Sequence, residues 1–404
     1  MQEDYLDVTS RTQFDDSVQK HSFHYYSPSN TLTLNNSDEI KITINNQDVL
    51  TRPAGSYLHI AGEIKNADKG HFVNNGFAFL FDEIRYEVAN KEVDMVRNPG
   101  IACLMKLVCS TNKTEKYSNA SFGDDDKLKL IQKEGKFSGC LPLNIVMGFF
   151  EDFNKVLVNV KQELILKRSK DDKNCLLTTS NAPQGNAADV LPTVELKTIQ
   201  WCMPHVLPSD SEKLSLQRLM LQNKMLQLAF RSFELHELPS FPQTTKHIWS
   251  VKTTNQLEKP RYIIFGMQTA RDGQPRSRSD RFDHNSIRKF SVYLNNERYP
   301  YQDFNMDFKN YDVSHAYESL VRFRQSYYDV PSDPYICRTE FISKYPLVVV
   351  DCSKQNESLK EGVVDLKLEF EFSENVKAQS TGLVLIIYDK LFEYNPMTSE
   401  INKV

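Results

Sequence analysis

Val364-Asp365-Leu366-Lys367-Leu368-Glu369-Phe370-Glu371-Phe372 is the stretch on which the fold turns. A β-strand points successive side chains to opposite faces, so the five apolar residues share one face and the four charges the other. One face meets a core and the other meets water, as in an antiparallel strand of a sandwich. Val158, Val160, Leu164 and Leu166 make a similar stripe, interrupted by Gln162, within an expected long strand Val156–Lys167. The same period marks Glu39–Ile44, Tyr57–Ile64, Arg85–Ala89, Val93–Val96, Thr193–Trp201, Leu228–Leu235, His247–Thr253, Tyr262–Gln268 and Phe290–Leu294. Leu383–Tyr388 has no polar face and reads as a strand covered on both sides.

Helical signals are few and short. Pro99 suits a first helical position, and Ile101, Leu104, Met105 and Val108 follow on one face. Ala316, Leu320, Phe323 and Tyr327 form a second stripe. Ser209 with Glu212 resembles a capping box before Leu214–Met225, although Leu214, Leu216 and Leu219–Leu221 also fit a strand.

The two halves repeat one order of elements. Arg85–Ala89 turns through Asn90-Lys91 into Val93–Val96 and the Pro99 helix. Phe290–Leu294 turns through Asn295-Asn296 into Arg298–Tyr301 and the Ala316 helix. A Pro-led strand at Leu141-Pro142-Leu143 then precedes the long Val156–Lys167 strand, as one at Tyr345-Pro346-Leu347 precedes Val363–Phe372. One apolar strand closes each half, Val194–Trp201 or Leu383–Tyr388. Each half offers about eight strands, the content of a jelly roll, two Greek keys folded into a sandwich. The expected fold is all-β: two tandem eight-stranded jelly rolls with short helices in loops. Pro204 and Pro208 punctuate the boundary near Pro204–Ser209. The expected units are an N-terminal arm (1–20), a first jelly roll (21–206), a second (207–395) and a C-terminal tail (396–404). The polar stretches Met1–Lys20 and Asn395–Val404 read as arms ordered only by neighbouring chains.

The 404 residues suit about two domains at roughly 100–200 residues each. Hydrophobic residues (40%) and charged residues (25%) stand in the balance of a soluble globular chain, and 24 Phe with 18 Tyr lean towards β structure. A net charge of −4 argues against a dedicated nucleic-acid binder, although it leaves room for a local basic face. Met1–Lys20 lacks the apolar core of a signal peptide, and the longest apolar run, Leu383–Tyr388, is far short of the ~20 residues that span a bilayer. The sequons at Asn35, Asn112, Asn119 and Asn356 therefore read as unused. Seven scattered Cys without a CxxC pair read as buried reduced thiols, which fits folding inside a cell.

No residue is assigned a catalytic, cofactor-binding or metal-binding role. Asp82-Glu83, Asp124-Asp125-Asp126 and Glu151-Asp152 read as acidic loops and solvated edges rather than acid–base pairs. The His residues form no HExxH, and no GxSxG elbow occurs. Arg271, Arg276, Arg278, Arg281 and Arg288 make a candidate basic loop for packaged DNA. Its bland reading is a solvated loop offset by Asp272, Asp280 and Asp283, and no aromatic interleaving supports single-strand binding. Phe323, Tyr327 and Tyr328 are candidates for contacts between chains, although ordinary core packing is the favoured reading.

Four stretches carry a resemblance. They are Pro53–Gly62, Asn74–Glu87, Cys140-Leu141-Pro142-Leu143 with Gly148-Phe149-Phe150-Glu151-Asp152, and Lys259-Pro260-Arg261-Tyr262-Ile263-Ile264. Together they resemble the double jelly-roll major capsid proteins of Polinton/Maverick elements and adintoviruses, over about Tyr57 to Tyr388. The resemblance implies a homotrimer whose six sandwiches form a pseudo-hexagonal tile of an icosahedral shell around double-stranded DNA. It implies a penton protein at the vertices, no enzyme activity, and a place in the virion after assembly inside a host cell. A scaffold or domesticated host particle protein of the same fold is the alternative. A carbohydrate-binding β-sandwich is the second, although only Trp201 and Trp249 are present to form a binding platform.

Overall fold

The computed structural model describes residues 17–29, 33–45, 50–113, 117–123, 132–178, 191–251, 260–295, 297–355 and 364–404. In the first half the strands are β1 (Val18–Tyr26), β2 (Glu39–Ile44), β3 (Leu50–Thr51), β4 (Tyr57–Lys65), β5 (Gly70–Phe72), β6 (Phe81–Val88), β7 (Lys91–Arg97), β8 (Gln132–Lys133), β9 (Lys136–Pro142), β10 (Leu157–Val158), β11 (Gln162–Arg168), β12 (Leu176–Thr178) and β13 (Thr193–Pro208). The second half has β14 (Leu226–Leu238), β15 (Lys246–Val251), β16 (Pro260–Thr269), β17 (Ile287–Leu294), β18 (Glu297–Tyr299), β19 (Val348–Asp351), β20 (Leu366–Phe372), β21 (Ser380–Tyr394) and β22 (Ile401–Lys403). The helices are α1 (Pro99–Ser110), α2 (Leu143–Val146), α3 (Gly148–Asp152), α4 (Asp210–Leu221), α5 (Ser314–Tyr328) and α6 (Arg338–Ser343).

Each half is a two-sheet sandwich with the same strand order. The first pairs β1-β13-β4-β9 in one sheet and β2-β11-β6-β7 in the other; the second pairs β14-β21-β16-β19 and β15-β20-β17-β18. Numbering the eight main strands of either half from its start gives 1-8-3-6 and 2-7-4-5 both times. That is the jelly roll, and the helix after the fifth strand, α1 or α5, recurs as well. The small strands β3, β8 and β10 extend the first sheet, and β5 with β12 form a separate ribbon.

The alternating stretch behaves as its pattern requires. In β20, Leu366, Leu368, Phe370 and Phe372 are buried while Lys367 and Glu369 are exposed. Phe370 meets Phe265 of the facing sheet and Phe290 of the adjacent strand β17, with ring centroids 4.8 and 5.3 Å apart. In β21, Leu383–Ile387 are all buried. Ala316, Leu320, Phe323 and Tyr327 are the buried face of α5. Ser209 caps α4, so Leu214–Leu221 is helical rather than extended.

Four expectations need correction. The stretch Val156–Lys167 is two strands: β10 joins one sheet and β11 the other, with Asn159 at φ +47° turning the chain between them. Pro142 ends β9 instead of leading a strand, because α2 starts directly after it. The expected N-terminal arm contains Val18–Lys20, which begin β1 and pair with Leu207 and Pro208. The C-terminal tail is no free arm: Ile401–Lys403 pair with Phe392–Tyr394 of the same chain, and Ile401 is buried. Asp124–Asp126, Asn356–Ser358, Lys259 and residues 1–16 lie outside the described residues.

Candidate functional site

The most densely built polar region lies where the first sandwich meets the second. Asp94 on β7 is fully buried. It accepts hydrogen bonds from the Phe149 amide at 3.0 Å and from the Ser232 hydroxyl on β14 at 2.6 Å, with the Lys390 ammonium 3.6 Å away. A buried carboxylate is tolerated when its lone pairs are filled in this way, and here donors from both sandwiches fill them.

Backbones touch at the same place. A Cβ on Gly148, the first residue of α3, would stand 1.6 Å from the Arg231 carbonyl oxygen. Only glycine lets α3 lie this close to β14. Arg231 grips α3 through two bonds to Asp152, at 2.8 and 2.6 Å, and its guanidinium stacks 3.6 Å from the Tyr327 ring centre. Burial works against its charge, but the Asp152 carboxylate outweighs that and holds the Arg231 pKa above its ordinary value.

A second charge pair lies beside this one. Lys106 is buried in α1 and donates to Glu151, which also accepts from the Tyr327 and Tyr328 hydroxyls of α5. Burial, and then the Glu151 charge, raise both tyrosine pKa values, so both hydroxyls stay protonated as donors. The seam continues through Asn98 Nδ2 to Glu237 (2.8 Å), Arg324 to the Ser110 carbonyl (2.6 Å), and the Asn74 amide to Asp280 (3.0 Å). Chemically, the seam locks two rigid blocks in one orientation.

The structure also locates each residue that the sequence singled out. Phe323 and Tyr327, candidates for the core or for contacts between chains, are buried within this one, and Tyr328 is half-buried against Glu151. The cause is physical: α5 packs its apolar stripe on α1 and β19. In the basic loop, Arg271 is paired with both oxygens of Asp283, Arg278 with both of Asp280, and Arg288 with Glu371 at 3.7 Å. Arg281 is buried over the Tyr345 ring with Asp280 at 4.0 Å, and Arg276 is partly buried. Of the paired acids, Glu83 faces Arg97 at 3.7 Å, and Glu151-Asp152 belong to the seam. All seven cysteines are free thiols, and no cluster of metal-ligating residues occurs among the described residues. No helix among the described residues is long and apolar enough to cross a membrane.

Sequence reasoning missed Asp94, Lys106, Gly148 and Arg231 as seam residues. Lys106 had left a signal, as the one charge in the run Ile101–Cys109, and Asp94 another, inside an apolar strand. Nothing in the sequence says that Arg231 faces them.

Fold and seam together define a tandem pair of jelly rolls fused into one rigid block. The double jelly roll-like domain model matches residues 71–392, and the chain belongs to that family. Among solved structures it is similar to the PBCV-1 virus capsid (9% identity, 98% of each chain, TM-score 0.60). It is also similar to a chain of the Sputnik virophage (8% identity, 100% of this chain and 92% of that one, TM-score 0.58). A third likeness is to the mavirus major capsid protein (10% identity, 100% and 93%, TM-score 0.55). A search of curated proteins by sequence found no match.

Proposed function

We propose that this chain is a major capsid protein whose homotrimers, pseudo-hexagonal in outline, tile an icosahedral shell around double-stranded DNA. The observation that carries the reading is the seam. Two jelly rolls of identical strand order are held as one body by a buried ion network, which suits a building block that must keep its shape. The likeness to capsid chains of PBCV-1 and mavirus supports it over nearly the full length. The Polinton/Maverick and adintovirus group, a penton protein at the vertices, and assembly in a host cell before residence in the virion complete the proposal.

The role is structural rather than enzymatic. Its titratable seam groups are tied to one another within the chain, which supports an architectural use of them. Arg271, Arg278, Arg281 and Arg288 are met by acids of the same chain, which supports a structural loop over a DNA-facing patch. A carbohydrate-binding role is not favoured: Trp201 is fully buried and Trp249 is half-buried against the core. Light scattering coupled to size exclusion, with negative-stain microscopy, tests the proposal. The expected mass is three chains, in particles of hexagonal outline; a strict monomer at every concentration would overturn it.

A further inference from the structure

One cavity of the first sandwich belongs to no contact described above. It lies between the tight turn Pro53–Gly55 before β4, the end of β9 with the start of α2, and residues 117–120, and its volume is about 500 Å³. Small-molecule sites run from roughly 300 to 1,000 Å³.

Two buried polar atoms of its lining are left over by the fold. Ser56 is 2% exposed, yet its Oγ meets no hydrogen-bond partner among the described residues. The Ser56 backbone is fully used: its amide donates to the Pro53 carbonyl at 2.9 Å, and its carbonyl accepts from the Leu143 amide at 3.1 Å. That second bond brings Asn144, the next residue along, to the same wall. Asn144 Oδ1 is also buried with no partner among the described residues. Folded chains rarely bury a hydroxyl or an amide oxygen unpaired, so two of them in one cavity wall point to a ligand.

The rest of the lining says what kind. It holds no carboxylate, ammonium or guanidinium among the described residues. An ion would lose its water here and gain no counter-charge, so the ligand is neutral. Asn144 Oδ1 needs a donor, and the Ser56 hydroxyl needs an acceptor. A sugar hydroxyl offers both at a single oxygen. Tyr57, Tyr117 and Pro142 add apolar surface for the C–H face of a pyranose ring. We propose that this cavity binds one neutral saccharide unit. Neither tryptophan takes part, and the site gives a shell protein a ligand without changing its architectural role.

Cys140 supplies the reporter. It lines the cavity and is one of two partly exposed cysteines, the other being Cys337. The full chain is alkylated with iodoacetamide in the presence of methyl α-glucoside, N-acetylglucosamine or N-acetylproline methylamide, and peptide mass spectrometry reads each cysteine. A sugar is expected to slow alkylation of Cys140 saturably and to leave Cys337 unchanged. Ser56→Ala and Asn144→Ala are each expected to weaken that protection about tenfold, the loss of one hydrogen bond to a buried group. Without sugar, Ser56→Ala keeps or raises the melting temperature, because it removes an unpaired hydroxyl; a fall would show a partner within the chain and overturn the argument. Should Asn144→Ala unfold the chain, protection in the wild type and its loss in Ser56→Ala decide. Protection by the peptide amide alone would overturn the saccharide in favour of a peptide partner. No protection by any probe, or protection that both variants keep, overturns the site. The capsid reading is tested by mass and outline, so the two failures stay distinct.

Discussion

Gly148→Ala sets local propensity against tertiary contact, and the two predict opposite signs. Alanine is better than glycine in a helix by about 1 kcal/mol, so at the first residue of α3 the substitution should stabilise. The seam reverses this. The new Cβ would meet the Arg231 carbonyl oxygen at 1.6 Å and its carbon at 2.7 Å, both backbone atoms of β14 that no rotamer can move. Carbon and oxygen rest at roughly 3.3 Å or more, so the two sandwiches must part by about 1.5 Å. That separation overpacks one contact, at about 1–3 kcal/mol, and stretches the Arg231–Asp152 bonds, worth about 1.5–3 kcal/mol. Set against the helical gain, the net loss is about 1.5–5 kcal/mol. A urea titration followed by fluorescence reads it, since Trp201 packs in the first sandwich 6.4 Å from Phe150, next to Phe149 of α3. At an m-value of about 3 kcal/mol/M the midpoint drops by roughly 0.5–1.7 M. An unchanged or raised midpoint would refute the close seam.

Other outcomes follow from the same geometry. Lys106→Met strands the Glu151 carboxylate among tyrosine hydroxyls, and is expected to cost about 3–5 kcal/mol in urea unfolding; adding Glu151→Gln recovers part of it, and no recovery would mean the pair is not the cause. Burial, and then His24 stacked 3.9 Å away, lower the His205 pKa to about 4 from an ordinary 6.5. The folded state therefore binds fewer protons than the unfolded one, and stability falls as pH drops from 6.5 towards 4. His205→Gln flattens that part of the pH dependence, and parallel curves for variant and wild type would count against it. Arg278→Gln breaks the two bonds to buried Asp280, so it lowers the urea midpoint while leaving affinity for double-stranded DNA at low salt unchanged; a lost salt-dependent affinity would restore the basic loop as a DNA contact.

What the sequence showed depended on what each element touches. β20 and β21 were legible because one faces a core on one side and the other on both, and burial writes itself into the spacing of Leu, Val and Phe. The stripe on α5 was legible for the same reason, though its partners were not: Phe323 and Tyr327 read as core with a contact between chains still open, and the position of α1 shows what covers them. The seam was the least legible part. Asp94, Glu151 and Arg231 lie far apart along the chain, and their meaning comes from facing one another across two folded bodies, which no periodicity records.

β1 is the instructive failure. Val-Gln-Lys-His-Ser-Phe-His-Tyr-Tyr has no alternation because none of its residues is buried, so periodicity assigned its first residues to an arm. Yet it forms an unbroken ladder from His21 to Tyr26 along β13, and its core-side His24 stacks on His205. A strand that is well paired, aromatic and bare is hard to explain in an isolated chain: exposing Phe23 and Tyr25 gains nothing for folding, and an open edge invites indiscriminate pairing. Its counterpart β14 does show a buried pattern, and a neighbouring sandwich lies on it. The missing alternation in β1 therefore marks a strand whose rings lie on the surface of the chain. Sequence periodicity reports burial, and a strand held by its ladder rather than by a core is where it should fall silent.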